Sequence, residues 1–491
     1  MATNYKAMKE AFVSNLTGGS VGEINYVTLV APSAVLLWSV LQSRLRLFTP
    51  YNTLAFLIDF LLNCAAILFA TTIYSSAPLL LNLLLLLPAL SIYLTSRSMP
   101  KQAKLRPLKH SETASKGSPD PLPAKPFVTH YRGSMMVVTC VAILAVDFRI
   151  FPRRFAKVEN WGTSLMDMGV GSFVFSSGVV SARSVLKDQM NRKSSPLAIR
   201  LAASMKHSLP LIVLGLVRLY SVKGLDYAEH VTEYGVHWNF FFTLGFLAPF
   251  VAIFQSLFNI IPSFALLSLI LGVSYEAVLN LTNLKAFILT APRIDLLSQN
   301  REGIFSFFGY LAIFLAGQAA GMYVLPRQQP LSSEDSKGRI LQKSILARLA
   351  TWTLIWSSLF VFSTNYYGLG LAVSRRLANL PYYLWVTAFN CGQITLFCAI
   401  ETLCFPGIHK AMDKEKENKK YKEATSRALY AFNRNGLAIF LLANLLTGLA
   451  NMTLPTLHMS RMESMAVLLA YISLICGVAL ALDWKNISIK I

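Results

Sequence analysis

The chain has 491 residues, of which 54% are hydrophobic and only 14% charged, with a mean hydropathy of +0.50 and a net charge of +21. A soluble chain of this size would be roughly 25% charged, so a soluble multidomain enzyme is excluded; the apolar content equally excludes disorder and fibrous repeats. What remains is a polytopic membrane protein, whose excess of positive charge signals topology, anionic lipid or nucleic acid.

In chain order, the first feature is a polar stretch from Met1 to Asn25, which is not the pattern of a cleavable signal peptide, whose apolar core lies nearer the start. A membrane-crossing helix needs about 20 apolar residues. Such runs are predicted at 24–41, 53–73, 76–95, 134–148, 162–180, 207–222, 237–255, 260–280, 304–325, 350–372, 381–403, 435–452 and 464–483. None shows the alternation of a β-barrel strand, and no internal repeat of the kind common in transporters is visible. The expected fold class is therefore an all-α polytopic membrane protein with about thirteen transmembrane helices, forming one integral-membrane domain over 1–491.

The segments 96–132, 181–206, 326–348 and 404–433 are basic, read as loops, and all follow odd-numbered spans. Loops after odd spans hold about 30 of the Lys and Arg residues and the other side about 14. Loops 96–132 and 404–433 are thus expected to be cytoplasmic, with the N-terminus lumenal and the C-terminus, carrying Lys485 and Lys490, cytoplasmic. Most of the +21 is then a topology signal. Nucleic acid is not an expected partner, because these loops lack the interleaved aromatics that stack on bases. The six cysteines sit mostly inside apolar runs without any CxxC, which predicts packing rather than disulfide or metal chemistry. Sequons at Asn15, Asn280, Asn451 and Asn486 lie too near spans to expect glycosylation.

One segment on the other side breaks the charge rule. Residues 145–169 read AVDFRIFPRRFAKVENWGTSLMDMG, with Arg149, Arg153, Arg154 and Lys157 clustered there. Asp147 ends an apolar run, where a carboxylate is costly unless paired, with Lys157 or one of the arginines as available partners. An anionic headgroup site with an acid or base beside it is the functional reading; a structural ion pair at the interface is the plain one. A second polar stretch, Glu229 to Phe242, holds His230, Glu233, His237, Trp238 and Asn239, either an interfacial belt or a source of a histidine base. Arg301, Arg375 and Arg376, on two further stretches of the same side, are candidate phosphate forks or snorkelling groups. Asp59, Asn63 and Glu401 lie within spans and are read as joining helices by hydrogen bonds. Walker A, HExxH and GxSxG are absent, and the glycine pair in LTGGSVGEIN is weak evidence for phosphate binding.

The stretches TGGSVGEIN (17–25), AVDFRIFPRRFAKVENWGTSLMDMGVGSFVFSSG (145–178), EHVTEYGVHWNFF (229–241), NREGIFSFFGY (300–310), SRRLANLPYYLWV (374–386) and NGLAIFLLANLLTGLANM (435–452) resemble the fungal inositol acyltransferases of glycosylphosphatidylinositol (GPI) anchor biosynthesis. The resemblance runs nearly end to end, interrupted at the basic loops. It implies an enzyme of the endoplasmic reticulum membrane that moves a fatty acyl chain, usually palmitoyl, from acyl-CoA to the inositol 2-hydroxyl of glucosaminyl-phosphatidylinositol. Acyl-CoA is a co-substrate, and no cofactor or metal is expected. The resemblance marks Asp147 and Lys157 as the catalytic pair, with His237 or His230 as the alternative base. Arg149, Arg153, Arg154, Trp161, Asn239, Arg301, Arg375 and Arg376 are then the candidate substrate-binding residues. A polytopic lipid or solute transporter, and a non-catalytic membrane subunit of a GPI-pathway complex, are the competing readings.

Overall fold

The computed structural model describes residues 2–96, 120–191, 196–223, 231–257, 260–327, 344–408 and 414–489. His230 and much of the basic loops lie outside these residues. The described chain is all-helical, without a named strand, and holds 13 helices long and apolar enough to cross a membrane. In chain order these are span 1 (Val21–Leu45), span 2 (Thr53–Thr71), span 3 (Pro78–Thr95), span 4 (Pro126–Ala145), span 5 (Leu165–Met190), span 6 (Leu197–Tyr220) and span 7 (Phe240–Leu257). Span 8 (Phe264–Leu281), span 9 (Arg301–Val324), span 10 (Ile345–Thr364), span 11 (Leu380–Cys404), span 12 (Gly436–Thr453) and span 13 (Arg461–Trp484) complete them. Every predicted run corresponds to one of these helices.

Burial divides the spans into a core and a periphery. Span 9 buries 78% of its most apolar stretch, span 1 72%, spans 4 and 11 67% each and span 5 61%, whereas span 6 buries 6% and spans 10 and 12 17% each. The peripheral helices turn leucines outward, as Leu79, Leu83, Leu87, Leu90 and Leu94 of span 3 do, which suits a lipid solvent. The core helices approach closely through small residues. Spans 5 and 9 meet at Gly178 and Gly317, where an added Cβ would lie 2.1 Å from the carbonyl oxygens of Phe314 and Phe175, respectively.

Three basic segments read as loops are helical at their ends. Span 4 begins at Pro126, not near 134, because Pro126 occupies the first turn and Glu401 Oε2 accepts the Phe127 N–H at 2.9 Å, capping the helix. This draws His130, Tyr131 and Arg132 into the bundle. Span 5 continues to Met190, and span 6 starts at Leu197. Within 404–433, the helices Lys414–Glu423 and Arg427–Arg434 pack onto the bundle. Asp59 anchors the second of these. Its carboxylate accepts from Ser426 Oγ (2.7 Å), Ala428 N (3.1 Å), Asn63 Nδ2 (2.8 Å) and Tyr51 OH (3.1 Å). The intramembrane acids thus join helices, as their sequence context suggests. All six cysteines are buried and free.

Candidate functional site

The connections at the end of the bundle opposite the basic loops are tied to one another through the backbone. Gly19 N donates to Thr163 O at 2.8 Å, and Thr163 Oγ1 returns a bond to Gly19 O at 2.7 Å. Glu159 N bonds Leu16 O at 3.0 Å, and Gly162 N bonds Val373 O at 2.9 Å. Gly18 and Gly162 have φ of +80° and +135°, and a Cβ on either would lie 2.1 Å from the facing carbonyl oxygen. The glycine pair of LTGGSVGEIN therefore serves a loop-to-loop clasp in place of a phosphate cradle.

The clasp holds the segment 146–164 against the bundle. Phe148, Phe151 and Phe155 are fully buried and fill its underside. Arg153 lies over the Phe12 ring at 3.7 Å, and its Nη2 donates to the carbonyls of Val146 (2.8 Å), Phe151 (2.9 Å) and Phe148 (3.3 Å), folding the loop around itself. Burial draws its pKa down to about 10, opposed by the nearby Asp147 charge, so it remains a cation at neutral pH.

Asp147 is bound by a residue that the sequence marks only as a sequon asparagine. Asn451 Nδ2, at the end of span 12, donates to Asp147 Oδ2 at 2.7 Å, and Asn451 Oδ1 accepts from Lys9 Nζ of the N-terminal helix Ala2–Val13 at 2.9 Å. Burial raises the Asp147 pKa above the ordinary carboxylate value, against the Asn451 hydrogen bond and the charges of Lys9 and Arg153. Oδ1 carries no protein hydrogen bond among the described residues. The result is a carboxyl held by one oxygen, with the other free to take a proton.

Lys157 belongs to a second cluster. Its Nζ donates to Glu233 Oε1 at 2.6 Å, and Arg375 Nη1 lies 3.6 Å from the same oxygen. Arg375 Nε in turn donates to Asp167 Oδ1 at 2.6 Å. Asp167 Oδ2 accepts from Ser164 Oγ (2.7 Å) and Val158 N (3.1 Å), fixing the chain on both sides of Trp161. Burial pushes Glu233 upward, but Lys157 and Arg375 outweigh it and hold the carboxylate at about 2, so it is ionised and Lys157 keeps its charged partner. Among the described residues no hydrogen bond or ion pair joins Asp147 to Lys157 directly.

Three of the other arginines, Arg301, Arg375 and Arg376, face inward. Glu302, wholly buried, receives Arg293 Nη2 at 2.5 Å and Arg376 Nη2 at 2.8 Å, with Arg301 Nε 3.6 Å away. Arg301 also donates to the carbonyls of Ile288, at 2.8 Å, and Ala291, while Arg376 Nη1 donates to Asn160 Oδ1 at 2.7 Å. Arg301, Arg375 and Arg376 are all buried. Arg154 pairs with Glu23 at 2.6 Å and caps Ser75 O at 3.2 Å. Arg149 is exposed, and Trp161 lies under Lys285 Nζ at 4.9 Å. Asn239 caps span 7, its Oδ1 accepting from Phe241 N (3.1 Å) and Phe242 N (3.3 Å), and its Nδ2 bonds Gly215 O at 2.9 Å. The backbone N–H of His237 donates to Asn300 Oδ1 at 2.8 Å, and its Nδ1 lies 3.5 Å from Asn300 Nδ2.

Beneath segment 146–164, between spans 1, 4, 5 and 11, runs a narrow, mainly apolar slot of about 50 Å³. Thr28, Ala31 and Leu165 line its end near the clasp, and Tyr131, Ser134, Ser172 and Gln393 line it toward the basic-loop end.

Comparison with known proteins adds an independent line. A family model described as GWT1 matches residues 5–482. A GPI-anchored wall transfer protein 1 of Aspergillus oryzae is 60% identical, with 100% of both chains covered. Its counterpart in Gibberella zeae is 59% identical over 99% of each chain, and that of Candida albicans 40% identical over 100% of each.

Proposed function

The chain belongs to the GWT1 family of multi-pass GPI-pathway membrane proteins, and from that premise we propose that it transfers a fatty acyl chain from acyl-CoA to the inositol 2-hydroxyl of glucosaminyl-phosphatidylinositol. The site is the endoplasmic reticulum membrane, with segment 146–164 toward the lumen. The observation that carries the reading is Asp147: a carboxyl at a membrane edge, raised in pKa, fixed through Oδ2 by Asn451 and open at Oδ1.

Chemically, the inositol 2-hydroxyl attacks the thioester carbonyl carbon while Asp147 Oδ1 takes its proton. The C–S bond then breaks, the ester forms, and CoA leaves as a thiolate that is protonated in turn. No covalent enzyme intermediate is required. Lys157 supplies positive charge for the oxyanion that develops on the carbonyl. Its pairing with Glu233 sets the position of that charge, and the Asp167–Arg375–Glu233 chain holds Glu233 in place. The exposed Arg149, on the surface of the same segment, is available to the lipid phosphate, whereas Arg153, whose Nε and Nη1 are buried, serves to fold the loop. The buried Arg301, Arg375 and Arg376 act at one remove, by building the scaffold.

Purified protein given labelled palmitoyl-CoA and glucosaminyl-phosphatidylinositol is expected to yield acylated lipid. Well-folded protein that forms no product would remove the enzyme reading in favour of a transporter or a non-catalytic subunit.

A further inference from the structure

The polar stretch ahead of the first span forms the helix Ala2–Val13, and one face of it is docked beside the carboxyl that carries the chemistry. Tyr5, Lys9 and Phe12 stand at i, i+4 and i+7, the spacing that lines a single helical face. Each meets a different part of the site. Tyr5 OH accepts from Leu457 N at 3.3 Å, and its ring lies 5.5 Å from that of His458, in the turn between spans 12 and 13. Phe12 lies under the Arg153 guanidinium at 3.7 Å. Between them, Lys9 Nζ donates to Asn451 Oδ1 at 2.9 Å. Ala7, Glu10 and Ala11, on the other side of the helix, are exposed.

Lys9 decides which end of the Asn451 amide faces Asp147. A primary amide accepts at its oxygen and donates at its nitrogen, whereas an ammonium only donates. With Lys9 on Oδ1, Nδ2 is turned to Asp147 Oδ2, where it bonds at 2.7 Å. Without that cation the amide is free to rotate and set Oδ1 against the carboxyl, an arrangement that suits a protonated acid and repels a carboxylate. We propose that Lys9 is a positioning residue of the transfer reaction, acting through Asn451 to hold an N–H donor against Asp147, so that the N-terminal helix is part of the active site. The inference rests on the acyl-transfer reading and adds to it a charge from outside the membrane-spanning helices. The groups that face Asp147 are Asn451 of span 12, Lys9 of the N-terminal helix and Arg153 of its own segment, and all three draw its pKa down against burial. Loss of the Lys9 charge therefore moves that pKa up, and a base that must be deprotonated loses activity first at low pH.

The test follows two readouts against pH in wild type, Lys9→Met and Lys9→Arg. Infrared difference spectra against Asp147→Asn report protonation of the Asp147 carboxyl without any substrate, and kcat/KM for transfer from palmitoyl-CoA reports its use. In Lys9→Met the carboxyl titration and the acid limb of kcat/KM are both expected to move to higher pH. That lowers kcat/KM about threefold on the acid limb and leaves it within about twofold of wild type above it. Lys9→Arg, which keeps the charge, is expected to restore both readouts. In an Asn451→Ala background Lys9→Met is expected to add less than about half of its shift, because the amide that transmits it is gone. A carboxyl titration that Lys9→Met leaves in place, an equal loss of kcat/KM at every pH, or a full further shift in Asn451→Ala would each overturn the assignment. Should Lys9→Met not fold, Lys9→Gln, which keeps a donor but no charge, carries the same comparison. Wild type that forms no acylated lipid would refute the acyl-transfer reading and with it the role in transfer, while the infrared titration still decides whether Lys9 acts on Asp147.

Discussion

Asp147 illustrates what one residue's surroundings do to its chemistry. Burial raises its pKa, while Asn451, Lys9 and Arg153 draw it back. Removing the Asn451 hydrogen bond takes away a lowering influence, so the carboxyl of Asn451→Ala is expected to move further up. As the proposed base, Asp147 is active when deprotonated. The acidic limb of the kcat/KM profile should therefore shift to higher pH. An unshifted limb would remove Asn451 as a positioning residue. Asp147 was legible in the sequence as a carboxylate at the end of an apolar run. Its partner was not, because Asn451 lies 304 residues away and carries no charge to betray it. For the same reason the sequence leaves Arg375 between a phosphate fork and a snorkelling group: its acid, Asp167, is 208 residues distant.

At the scale of elements, the apolar runs located every span, and errors fell where polar side chains enter the bundle. Span 4 was placed too late because His130 and Arg132 read as loop, although Glu401 caps a helix that already includes them. The glycine pair was visible, but its role depends on Thr163, across the clasp. Gly18→Val puts a β-branched side chain at φ +80° and into the Thr163 carbonyl. Such strain costs about 1–3 kcal/mol. A lower midpoint in thermal unfolding of the detergent-solubilised protein is expected, with a loss of transfer activity exceeding the loss of folded protein, since the clasp positions segment 146–164. A midpoint equal to wild type would show that the clasp is not needed to hold the loops.

For the whole molecule, thirteen crossings send successive connections to opposite faces in alternation. The six native cysteines are buried, so an introduced cysteine reports with little background. A cysteine at the exposed Lys419, in the helix Lys414–Glu423, is expected to react only with a cytosolic reagent. One at Tyr367, 93% exposed in the connection between spans 10 and 11, is expected to react only from the lumen. Labelling of both from one side would break the alternation. The apolar runs made thirteen crossings readable from sequence, and the charge bias of the loops supplies the expected orientation that this labelling tests; the arrangement of the spans around a central span 9 was not readable, since it depends on which small residues meet across helices.

The central claim is that Asp147 and Lys157, held in separate clusters, act on one thioester. The most direct measurement is density for a non-hydrolysable palmitoyl-CoA analogue bound to the protein. Its carbonyl mimic is expected beneath segment 146–164, with the oxygen toward Lys157 Nζ and the carbon on the side of Asp147 Oδ1. A carbonyl mimic seated at His237, away from both residues, would contradict it.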